Sequence, residues 1–113
     1  MNDLEQRIGE LWEHRDDLGA LLPEDEARTI VHEAIDLLDH GGARVAEMHD
    51  GEVVVHQWLK QAILLLFRLS TMETIELGPF EYADKIPLKR DYAAAGVRAV
   101  PGANARWGSY LAP

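Results

Sequence analysis

The sequence predicts an α+β domain: a small helical body of two amphipathic helices, a β-hairpin and a buried third helix, followed by an extended tail. Three observations predict it. Two segments within the first forty residues repeat apolar side chains every three or four positions, the period of a half-buried helix. Asp50-Gly51 sits between two short runs rich in β-formers, where a tight hairpin turn needs positive φ. From Gln57 onward apolar residues cover most of a helical circumference, as in a helix surrounded by protein.

The first helix is expected from Asn2 or Asp3, either of which can cap it, to Leu18. Leu4, Ile8, Leu11, Trp12 and Leu18 form one stripe, and Gly19 ends it. Acidic residues in the first turn suit the helix dipole. His14 and Arg15 fall off the stripe, towards solvent. Pro23 opens the second helix where a missing N–H costs nothing, and Glu24, Asp25 and Glu26 follow it. Ala27, Ile30, Val31, Ala34, Ile35 and Leu38 form its buried face. His40-Gly41-Gly42 closes it, because glycine enters the left-handed conformation of a helix end without a Cβ penalty. His32 and Asp36 sit four apart, as a metal pair could, but no third ligand is near in sequence and a solvated pair is the simpler reading.

The hairpin runs from Ala43–Met48 through His49-Asp50-Gly51 to Glu52–His56, with His49 and His56 brought towards each other for metal or acid–base work at best weakly. His56-Gln57 caps the third helix. Trp58, Ala62, Leu65, Leu66 and Leu69 share its buried face, Trp58 as a core anchor, and Leu59, Ile63 and Phe67 widen that face. Lys60 and Arg68 are its polar points, Arg68 complementing the dipole of its own C-terminal end. Ser70 to Glu81 reads as a loop with a short strand around Thr74 to Leu77, broken by Gly78-Pro79. Phe80, Tyr82, Ile86 and Leu88 are then spaced like an extended segment covering the core, with Lys85, Lys89 and Arg90 clustered along it. The tail from Val97 to Pro113 has no helical period.

At 113 residues there is room for one modest core. The chain has no cysteine, which excludes disulfides and thiolate chemistry. Met1-Asn2-Asp3-Leu4-Glu5 is acidic where a secretory leader would be basic, and the apolar run Ala62 to Phe67 is too short to span a bilayer. A cytoplasmic protein is the expectation. Charge is unevenly spread: residues 1–52 carry 15 Asp/Glu against 4 Lys/Arg, and residues 53–113 carry 5 against 7. So acidic a first half repels nucleic acid and anionic membranes, and the weakly basic second half is where an anion would be held. The chain shows no GxSxG, phosphate loop or metal cluster.

The run DHGGARVAEMHDGEVVVHQWLKQAILLLFRL, with Asp84-Lys85-Ile86-Pro87-Leu88-Lys89 and Gly96-Val97-Arg98-Ala99-Val100-Pro101 after it, resembles the N-terminal domain of the tetrahydrodipicolinate N-succinyltransferase family. The likeness covers nearly the whole chain, more weakly over the first thirty residues. It implies a bacterial lysine-pathway acyltransferase that moves a succinyl group from succinyl-CoA, its co-substrate, to the amino group of the ring-opened dicarboxylate substrate. It also implies a homotrimer, with substrate held between neighbouring subunits. On that likeness residues 1–96 are the helical and hairpin domain, and 97–113 lead into a left-handed β-helix of hexapeptide repeats, Gly108 to Pro113 being its opening turn. One coil cannot bury its own apolar face, so the tail alone is expected to be extended and poorly ordered. The likeness places no catalytic residue, metal or bound cofactor in this chain, because the carboxylate that acts on the amine belongs to the β-helix beyond residue 113. It assigns Arg98 to a substrate carboxylate, a planar anion that a guanidinium fork matches with two hydrogen bonds.

Three functions are therefore open: the family's substrate-binding domain, inactive alone; a free-standing interaction or regulatory module derived from it; and a small enzyme using His49 and His56.

Overall fold

Leu59, Ala62, Leu65, Leu66 and Leu69 form the buried stripe around which the molecule closes. The computed structural model describes residues 2–113. It contains helices α1 (Asn2–Glu13), α2 (Glu24–Asp39) and α3 (Gln57–Leu69), and strands β1 (Ala46–His49), β2 (Glu52–Val55), β3 (Glu73–Leu77) and β4 (Phe80–Asp84). The expected α+β class holds. α3 packs on both α1 and α2. Leu4, Ile8 and Leu11 of α1 and all six expected residues of α2 close the core, and from outside the helices Ile86 joins them.

α1 is shorter than its apolar period suggests. It ends at Glu13, and Leu18 belongs to a separate 3-10 turn, Leu18–Ala20. At its end two side chains reach back to the last carbonyls: His14 Nδ1 meets Glu10 O at 2.9 Å, and Arg15 Nη1 donates to Trp12 O at 2.8 Å. Arg15 is half-buried rather than solvent-facing, its guanidinium 4.2 Å from the Trp12 ring centroid. Asp3, one of the two expected caps, already lies within the helix and faces Arg7 at 3.8 Å; the side chain of Asn2 lies outside the described residues. Pro23 stands just before α2 in an extended conformation, as its N-cap rather than its first residue.

The end of α2 follows its sequence closely. Gly42 N–H donates to Leu37 O and Gly41 N–H to Leu38 O, with Gly41 at φ +77°, which is the paired closure of a glycine-terminated helix. Asp50 and Gly51 both have positive φ and close the β1–β2 hairpin in the register His49 opposite Glu52. That hairpin projects away from the core, and Met48 and Val53 are about two-thirds exposed.

Trp58 is half-buried, and Leu59 takes the anchoring place expected of it, 1% exposed. Leu64 faces solvent, so α3 is buried on one face rather than all round. Between Glu73 and Asp84 the structure has a second antiparallel hairpin in place of a loop. Gly78-Pro79 does not break the chain but turns it, Gly78 at φ +58° supplying the first position of a tight turn and proline the second. Phe80 is consequently exposed and Ile86, not Phe80, covers the core.

Candidate functional site

The cations of the second half divide into those already engaged and those left open. Lys85 Nζ donates to Phe67 O at the end of α3 (3.1 Å), and Lys89 Nζ to Asp39 O (3.1 Å) and Asp39 Oδ1 (2.7 Å) at the end of α2. Arg68 reaches across to α1, donating to Arg15 O at 2.7 Å and Asp16 Oδ1 at 3.1 Å. It is held by the turn that follows α1 rather than by the end of its own helix. Arg28 adds a bond to Leu69 O at 3.0 Å. Arg106 grips Asp84 through two bonds of 2.8 and 2.9 Å, and this pairing holds the Asp84 carboxyl below its ordinary pKa. Lys60, Arg90 and Arg98 make no hydrogen bond or ion pair among the described residues, and all three are exposed.

Arg90 and Arg98 belong to one substructure that the sequence did not disclose. Residues 87–107 form an arch whose base is closed where Leu88 bridges Arg106, Lys89 N–H donates to Ala105 O, and Trp107 N–H to Pro87 O. Its tip is closed by Val97 N–H donating to Tyr92 O at 2.8 Å. Between those closures one limb is much longer than the other, and a turn at Val100–Ala103 takes up part of the excess. A cleft of about 410 Å³ opens here, lined by Leu88, Arg90 and Tyr92 of one limb, Asn104 of the other, and Leu77 and Tyr82 of the β3–β4 hairpin. The Asp91 backbone, at φ +63°, turns the chain immediately after Arg90. Arg98 follows the residue that closes the tip.

The tail is extended, as expected, but it is docked along α2. Trp107 Nε1 donates to Asp36 Oδ1 at 3.0 Å, and the His32 ring stands edge-on to the indole at 5.0 Å. His32 and Asp36 therefore hold an indole rather than a metal or plain solvent. Burial lowers the His32 pKa, the nearby Arg28 charge adds to that, and Asp36 partly offsets both. Gly108 N–H donates to Asp39 Oδ1 at 2.8 Å. Burial opposes ionisation of Asp39, but the Lys89 and Gly108 hydrogen bonds outweigh it and lower its pKa. Further on, the Tyr110 ring covers Gly41, where a Cβ would stand 2.9 Å from a ring carbon.

The two hairpin histidines are not brought together. His56 Nε2 pairs with Glu47 Oε2 at 2.8 Å at the base, whereas His49 lies at the turn beside Asp50, 3.5 Å away. His56 occupies the cap position of α3, but its ring makes no capping bond because Glu47 holds it. Among the described residues no group of three or more His, Asp and Glu could hold a metal ion.

Comparison with known proteins follows the same residues. The family described as "Tetrahydrodipicolinate N-succinyltransferase N-terminal" matches residues 3–69. Proteins named 2,3,4,5-tetrahydropyridine-2,6-dicarboxylate N-succinyltransferase are similar over the whole chain. That of Aeromonas hydrophila subsp. hydrophila is 47% identical over 119 aligned positions, covering 100% of this chain and 43% of the relative. That of Thioalkalivibrio sulfidiphilus is 45% identical over 119 positions, covering 100% and 44%. That of Parvibaculum lavamentivorans is 45% identical over 122, covering 100% and 43%. The chain spans less than half the length of the curated relatives it matches.

Proposed function

Since the chain belongs to the tetrahydrodipicolinate N-succinyltransferase N-terminal family, we propose that it supplies the substrate-binding part of a succinyl-CoA-dependent acyltransferase acting on an amino-dicarboxylate of the diaminopimelate route to lysine. The observation that carries this reading is Arg98. Its guanidinium stands exposed in the Gly96–Pro101 segment, making no hydrogen bond or ion pair among the described residues. Arg106, Lys85 and Lys89 are all consumed by internal partners. A guanidinium with open donors is suited to a planar carboxylate, and the relatives' printed name contains a dicarboxylate. Acyl transfer itself needs a base at the amine and a groove for the thioester donor. The part proposed for this chain is to bind and orient one end of the acceptor.

The wider reading follows: a cytoplasmic enzyme, trimeric when joined to a hexapeptide-repeat solenoid, with a small-molecule dicarboxylate as its ligand and neither nucleic acid nor membrane as a partner. No helix among the described residues is long and apolar enough to cross a membrane.

The test is a succinyl-CoA-dependent acylation assay with a stable pimelate-type amine, run on the 113-residue chain and on the same chain extended through its natural continuation. Activity in the extended chain alone is the expected result. Activity in the 113-residue chain would place acyl transfer within these residues and overturn the reading. No activity in either would return the chain to the role of a binding or regulatory module.

A further inference from the structure

We propose that the β1–β2 hairpin of one copy of this chain docks on the arch and β3–β4 hairpin of a second copy, a head-to-tail contact between unlike surfaces. The inference goes beyond the reading of Arg98 and does not depend on it.

The projecting hairpin supplies an apolar side and an acidic tip. Its register sets Ala46 opposite Val55 and Met48 opposite Val53, alternate positions that share one side of the ribbon. All four are exposed, Met48 at 65% and Val53 at 66%. A two-stranded ribbon standing alone in water is marginal, yet this one leaves its β-forming side chains bare. Residues 46–55 carry three carboxylates, Glu47, Asp50 and Glu52, and no lysine or arginine. Glu47 is held by His56 at the base, and Asp50 has only the His49 ring beside it, 3.5 Å away. Asp50 and Glu52 therefore give the tip its negative charge.

The receiving surface has the opposite charge and an apolar wall of its own. Residues 87–107 carry four Lys/Arg against one acid, Asp91. Lys89 and Arg106 are paired internally, which leaves Arg90 as the open cation lining the cleft. Asp91 lines it too and offsets only part of the positive charge. In β3–β4, Leu77 stands opposite Phe80 and Ile75 opposite Tyr82, so these four share one side, and Leu77 and Tyr82 face the cleft. Phe80 is 59% exposed, and Val100 on the turn of the arch 70%. Both patches are bare in the same molecule, so neither covers the other within one chain. Two acidic tips repel one another, as do two basic arches, whereas a tip and an arch attract. The occupant that fits is thus a second copy, and a contact of unlike patches leaves one of each kind free for the next copy.

The experiment is analytical ultracentrifugation of the 113-residue chain between about 10 µM and 1 mM, the range in which small, weak interfaces form. Average mass is expected to rise with concentration, and less steeply in high salt. Met48→Thr with Val53→Thr removes the docking side, and Arg90→Glu reverses the open cation of the cleft. Both changes are at exposed positions, so each variant is expected to keep the parent circular dichroism. Each is expected to self-associate at least tenfold more weakly than the parent. Because each variant keeps the surface that the other lacks, an equimolar mixture is expected to form a one-to-one pair. Parent-level self-association of either variant would overturn the inference, since it would place the contact elsewhere. So would a mixture that forms no pair, or a parent chain that stays monomeric throughout. None of these outcomes bears on Arg98, which is untouched.

Discussion

Two single positions separate a binding role from a structural one. Arg98 touches nothing that the fold requires, so Arg98→Ala should change unfolding free energy by no more than about 0.5 kcal/mol. In the extended enzyme it should weaken dicarboxylate binding by about ten- to a hundredfold, the worth of a hydrogen-bonded charge. An unchanged Michaelis constant for the dicarboxylate would remove it from the site. Gly41 is the opposite case. Its φ of +77° is unfavourable for any residue with a Cβ, and that Cβ would stand 2.9 Å from the Tyr110 ring. Gly41→Ala should cost about 1–2 kcal/mol in chemical denaturation. Adding Tyr110→Ala should give less than the additive loss, since the steric part is then already relieved.

Among elements, the contact between the tail and α2 is the one most exposed to pH. Asp39 accepts from both Lys89 and Gly108, and those bonds lower its pKa from an ordinary 3.8. A carboxyl with a lowered folded pKa contributes stability that is complete above its unfolded value and lost as pH falls through the folded one. The Trp107 indole N–H resonance, which reports tail docking, should therefore show an acid transition below about pH 4, separate from the change that His32, edge-on to the indole, contributes below 6.5. Asp39→Ala should destabilise docking by about 2 kcal/mol at neutral pH and remove this acid transition. A transition that survives the substitution would assign it elsewhere. His32 has the same sign in a higher window: its neutral form is the folded one, so its contribution declines as pH falls below 6.5.

The molecule as a whole is flatter than its length suggests, with a radius of gyration of 15.8 Å against about 13 Å for a compact domain of this size. Its extents of 42 × 40 × 20 Å describe a thin slab. The cause is that the core is helical, while both hairpins and the arch stand outside it. Stability should be divided accordingly. Leu65→Ala, at 0% exposure, should cost about 2–5 kcal/mol. Met48→Thr with Val53→Thr, on the projecting hairpin, should stay within about 0.5 kcal/mol. Urea denaturation of the two variants settles the comparison; a large loss in the hairpin variant would mean that this face is packed in solution.

Much of the fold was legible because it rests on interactions within one turn of helix or across one tight turn. The α2 stripe, its glycine closure, the Asp50-Gly51 hairpin and the run of α3 each depend on neighbours a few residues apart, and family membership follows from the same contiguous stretch. What the chain order concealed are pairings between distant residues: Arg68 with Arg15, Lys89 with Asp39, and Trp107 with Asp36. These lie 53, 50 and 71 positions apart. A lysine or arginine reads alike in sequence whether it caps a helix or waits for an anion. Which cations remain open, and that Arg90 shares an arch with Arg98, depends on where three helix C-termini fall in space, and local propensity carries no information about that.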